Sequence, residues 1–70
     1  KHPMTFNELK RLLLYTERTI EYKSLTSDKT HTLKCTIKRD FQKDSSKILV
    51  WDIVNECTVD IEVSTVMSVI

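Results

Sequence analysis

Five basic side chains, Lys34, Lys38, Arg39, Lys43 and Lys47, gather around one polar loop that also holds an aromatic ring, Phe41. Cations beside a ring suit single-stranded nucleic acid, whose phosphates are neutralised while a base stacks. They equally suit an acidic protein surface. Asp40 and Asp44 dilute the patch, and a sequence pI of about 8.0 lies below the range above 9 typical of nucleic-acid-binding domains. Phe41 therefore has two readings: a stacking platform, or a plug folded back on the rim of the core. Asp52, Asp60 and Glu62 form a second set, an acidic face that resembles a metal site. Hard cations need several oxygens in fixed geometry, and solvated strand carboxylates are far commoner, so no metal is assigned. His31 lies in a turn-like stretch without a thiol or acid companion at a readable spacing. There is no Gly-rich phosphate loop and no nucleophile beside a base. The expectation is a protein without catalytic residues or cofactors. Cys35 and Cys57 lack a CxxC spacing and read as free structural thiols in a reducing compartment.

The charge is divided along the chain. Residues 1–47 carry all 11 Lys and Arg against six acids, a balance of +5; residues 48–70 carry four acids and no base, a balance of −4. Such asymmetry accompanies charged partners, or it lets two halves of one small sheet pair with each other. Seventy residues make one domain, whose core contributes only about 3–5 kcal/mol without a staple or partner. No apolar run approaches the roughly 18 residues of a membrane span, so a membrane partner is not expected. Lys1, His2 and Pro3 read as a vector-derived remnant, with Met4 as the native start and a single domain over 4–70.

The elements that must position these side chains are legible in outline. Thr5 and Glu8 have the S/T-x-x-E spacing of a capping box. Phe6, Leu9, Leu12 and Leu13 follow at helical spacing, which predicts one short helix over 5–14 with an apolar stripe. The period then changes to two. Strands are expected over 19–25, 32–38, 47–54 and 58–63, with Leu33, Cys35 and Ile37 on one face, and a last short strand over 64–70. The fold class is mainly β within α+β: one N-terminal helix, then a small antiparallel SH3-like barrel of four to five strands.

The stretch KILVWDIVNE, residues 47–56, is apolar on both faces. A three-residue turn would oppose Trp51 to Ile61, Leu49 to Val63 and Ile53 to Val59, burying Trp51 and setting Asp52 against Asp60. A two-residue turn would put Trp51 beside Asp60 on the outside. The first register is preferred because it buries the tryptophan, and it leaves Ile48, Val50 and Val54 needing cover. The last strand has no charge and no proline, the usual guards of an edge. Self-association through Val66, Met67, Val69 and Ile70 would supply that cover.

The chain resembles a family of small phage-encoded proteins with an SH3-like barrel, WYL-like in pattern. The matching pieces are the helix at 8–14, the strand–turn–strand at 20–37 with KCT at 34–36, VWD at 50–52 and the valine-rich end at 63–69. The resemblance implies a non-enzymatic accessory protein that binds a host or phage protein in the host bacterial cytoplasm, in host takeover or counter-defence. The alternative is a nucleic-acid-binding module using the basic loop 34–47. Where family members carry an aromatic–Arg–Ser–Phe–Arg stretch, this chain has Thr58-Val59-Asp60-Ile61-Glu62, and it has no glycine at all. Those acids do not suit an anionic ligand, so the family's anion site is not expected here.

Overall fold

A computed structural model describes residues 4–70 of the chain. The reading of residues 1–3 as a remnant lies outside the described residues.

Helix α1, Phe6–Leu13, begins where its cap is. Thr5 is extended (φ −94°, ψ 162°) and accepts the Glu8 amide at 3.2 Å, while its hydroxyl donates to Glu8 Oε1 at 3.1 Å. Phe6, Leu9 and Leu13 are buried, and Leu12 is half-buried at the margin of the stripe. Eight residues make a marginal helix alone, so its stability comes from this packing. Thr5→Ala should cost about 1 kcal/mol, visible as a lower urea midpoint with an unchanged slope. The far end of the helix is stitched to the sheet: the Leu13 carbonyl, an orphan of the last turn, accepts Ile37 N–H at 3.0 Å and the buried Thr36 hydroxyl at 3.3 Å. Tyr15 then turns the chain in a left-handed conformation (φ 61°) and donates its N–H to the Ile37 carbonyl at 2.8 Å.

The strands are β1 (Arg18–Lys23), β2 (Thr30–Thr36), β3 (Lys47–Asp52), β4 (Cys57–Glu62) and β5 (Val66–Val69). They form one antiparallel sheet in the order β4-β3-β2-β1-β5. The first four make a meander. A 3-10 turn at Val63–Thr65 then carries the chain back so that β5 pairs with β1. One helix before a curled five-strand sheet is the mainly β architecture expected from the sequence. Ile20, Cys35, Ile37, Ile48, Val50, Ile61, Val63 and Val66 close the core beneath Phe6, Leu9 and Leu13.

The β3–β4 hairpin has neither of the two registers read from the sequence. Trp51 opposes Thr58, Asp52 opposes Cys57, Ile48 opposes Ile61 and Leu49 opposes Asp60. The turn, residues 53–56, is longer than expected because a side chain builds it. Asp52 Oδ1 accepts the amides of Val54 and Asn55, both at 3.0 Å, and Oδ2 accepts Asn55 Nδ2 at 2.8 Å. Glu56, left-handed at φ 55°, closes the turn. This is Asx-turn chemistry, which needs no glycine.

The register inverts the expected faces. Ile48 and Val50 are 0% and 1% exposed, inside, whereas Leu49, Trp51 and Ile53 are half-buried. Ile48 and Val50 therefore need no second chain to cover them. Of the expected dimer edge, Val66 is buried in the core and Val69 packs against it, while Met67 and Ile70 face solvent. Met67 stands at a bulge between β5 and β1, where Tyr22 pairs with Val66 and Glu21 with Ser68.

Candidate functional site

The gap beside β3 is set by where β2 leaves it. Only Cys35 with Asp52 and Thr36 with Trp51 are paired between these strands. Ile37 then turns into the core and bridges to Leu14. The first half of β3 is thus left without a strand neighbour on this side. The result is an open groove of about 170 Å³ lined by Thr36, Ile37, Lys38, Arg39, Phe41, Leu49, Val50, Trp51 and Thr58. Its floor is mainly apolar: Leu49, Trp51, Ile37 and the edge of Val50.

Gln42 completes the missing ladder with one side chain. Its Nε2 donates to the Leu49 carbonyl and its Oε1 accepts the Leu49 amide, each at 2.7 Å. The ammonium of Lys38 lies over the Trp51 ring, 5.1 Å from the centroid. Phe41 is 68% exposed at the rim and so is not a core plug. Asp40, the acid nearest in sequence, is drawn off by Lys10 at 2.7 Å. Among the described residues that is the single ion pair, which leaves Lys38 and Arg39 without a carboxylate partner.

Of the basic residues singled out from the sequence, the groove brings together Lys38, Arg39 and Phe41. Lys34 is exposed on β2, two residues before Thr36; Lys43 is exposed in the loop; Lys47 is exposed on β3 and pairs in register with Glu62. The acidic face does not assemble as expected. Asp52 is 3% exposed and points inward, committed to its turn, while exposed Asp60 and half-buried Glu62 stay on β4. Among the described residues no three His, Cys, Asp or Glu side chains are placed to hold a metal ion. His31 is exposed, its ring centroid 5.6 Å from that of Tyr22.

The hydrogen bonds from the Asn55 amide and side chain, with a further one from Val54, hold the Asp52 carboxyl below its ordinary value of 3.8 against the opposing effect of burial. A lowered folded-state pKa means that its contribution to stability is complete above the ordinary carboxylate range. That contribution disappears as pH falls through the folded value. Asp52→Asn should therefore melt lower than the parent at pH 7, because Asn would set a second NH2 group against Asn55 Nδ2. It should also lose less stability than the parent on acidification below about pH 4. Thermal melts of both proteins across pH check both signs.

Cys35 is fully buried, and burial, followed by the Asp52 charge, pushes its thiol up to about 11. It is protonated at neutral pH and is not a nucleophile. Cys57 is exposed. Both pair with Asp52 from opposite sides, which places them two strand spacings apart, about 9–10 Å. A disulfide cannot span that. Under native conditions a thiol reagent should label Cys57 rapidly and reach Cys35 only after denaturation; rapid double labelling would contradict the burial of Cys35.

A larger cleft of about 310 Å³ lies between the β1–β2 turn and β4, but Lys23, His31, Asp60 and Glu62 give it mixed charge with no convergent set. The β3 groove is the stronger candidate. Sequence reasoning missed Gln42, which stands alone in a Lys-, Asp- and Ser-rich loop without periodicity, and Leu49 and Trp51, which it assigned to the core. No helix in the described residues is long and apolar enough to cross a membrane. No family model matches the chain, and neither does any curated protein or solved structure.

Proposed function

We propose that the protein is a non-enzymatic binding module that engages another protein through the groove beside β3. The observation that carries this reading is apolar surface left open in a chain whose core is otherwise closed: Leu49 and Trp51 are half-buried at the floor, edged by Lys38, Arg39 and exposed Phe41. Apolar concavities with a few polar groups at the rim are where proteins bind ligands. The resemblance of KCT and VWD to small phage-encoded barrel proteins supports an accessory role in an infected bacterium, acting on a host or phage protein in its cytoplasm. The unpaired thiols agree with a reducing compartment. Pull-down with the tagged parent, with Lys38→Glu/Arg39→Glu, and with Leu25→Ala as a surface control tests the reading. A protein retained by parent and control and lost from the double variant supports it. Equal retention by all three places the contact elsewhere.

Exposed Phe41 among cations favours a second reading, single-stranded nucleic acid. Filter binding of DNA and RNA at two salt concentrations separates the two, since phosphate binding weakens steeply with salt. Against this reading, Lys38 already covers the Trp51 ring, and Asp60 lies across from Leu49 on the same face.

A further inference from the structure

Gln42 holds the place of a strand residue. Across an antiparallel ladder, a hydrogen-bonded pair exchanges both N–H···O bonds, and the Gln42 carboxamide offers Leu49 the same acceptor and donor. Unlike a strand, it is one side chain on a polar loop and is free to swing away. We propose that the groove receives an extended, acidic segment of the partner protein, which pairs with β3 at Leu49 in place of Gln42. The proposal rests on the groove being the binding surface and names what fits it.

Three observations select this occupant. The groove follows the edge of β3 where β2 has departed, so a strand can lie along it and gain main-chain bonds. Alternate residues of an extended segment face opposite sides; one set would meet Leu49 and Trp51, the other Lys38 and Arg39. Those two cations have no carboxylate partner among the described residues, so Glu or Asp on the incoming segment complements them. A polyanion fits less well. Its continuous phosphates would run past Asp60 and Glu62 on the neighbouring strand, whereas a peptide places acids only where cations wait.

Trp51 is the sole tryptophan, so its fluorescence reports the groove directly. The probes are an alternating Val–Glu peptide with blocked ends, its Val–Gln and Val–Lys counterparts, and an oligothymidylate. The Val–Glu peptide should shift Trp51 emission, bind about tenfold tighter than Val–Gln, and weaken with salt. Lys38→Glu should remove that preference. Gln42→Ala, with Gln42→Ser as a second variant and circular dichroism as the folding check, should tighten binding about threefold by removing the competitor for Leu49. Equal binding of Val–Gln overturns the acidic partner. Unchanged or weaker binding by both Gln42 variants overturns the strand pairing. Oligothymidylate binding in preference to every peptide overturns this inference while leaving the groove as the site. A Trp51 signal that no probe moves at millimolar concentration overturns the groove itself.

Discussion

Ile48→Ala should leave a largely unfolded chain, whereas Leu49→Ala should stay folded. Ile48 is fully buried against Ile61 in the core, and truncating such a side chain costs about 2–5 kcal/mol through lost transfer energy and the cavity left behind. That is comparable with the roughly 3–5 kcal/mol a core of this size supplies. Leu9→Ala should do the same from the helix side, since Leu9 is 0% exposed. Leu49 is half-exposed on the other face, and its truncation should cost about 1 kcal/mol. Urea melts followed by far-ultraviolet circular dichroism order the three. If Leu49→Ala proved more damaging than Ile48→Ala, the β3–β4 hairpin would have the opposite face inward.

The second large effect concerns binding. Lys38→Glu/Arg39→Glu should weaken binding of an acidic segment by about 100-fold or more, because charge-assisted hydrogen bonds contribute about 1.5–3 kcal/mol each and the new carboxylates repel. Both residues are exposed and in no ion pair among the described residues, so folding stability should change by less than about 0.5 kcal/mol. Titration calorimetry with the Val–Glu peptide, paired with a urea melt, reads the two effects separately. A variant that melted far below the parent would mean that these cations hold the loop instead of a ligand.

The helix was legible because two local signals agree: Thr5 and Glu8 at capping distance, and apolar residues at helical spacing. The strands were legible from alternation, and Cys35 fell on the buried face that Leu33 and Ile37 predict. The hairpin register was not, for a physical reason. Where both faces of β3 are apolar, alternation carries no information about which one turns inward, and the deciding group is the Asp52 side chain, whose turn lacks the Asn-Gly or Asp-Gly dipeptide that marks hairpins. That one misreading put Trp51 in the core and Ile48 and Val50 outside, and created the need for a second chain to cover them. The groove was half legible. Lys38, Arg39 and Phe41 adjoin in sequence, but Leu49 and Gln42 meet only because β2 bends away after Thr36. A bend driven by Ile37 entering the core is a tertiary event with no local signature.

The central claim is that ligand binds beside β3 and nowhere else on the barrel. Mapping of backbone and indole N–H resonances by nuclear magnetic resonance, with and without the Val–Glu peptide, tests it most directly. The expected shifts cluster at Lys38, Arg39, Phe41, Gln42, Leu49 and the Trp51 indole, with slower exchange of the Leu49 amide as a main-chain bond replaces the side-chain one. Shifts centred on Met67 and Ile70 of the β5 edge, or on Leu25 and His31 of the β1–β2 hairpin, with Leu49 and Trp51 unmoved, would contradict it.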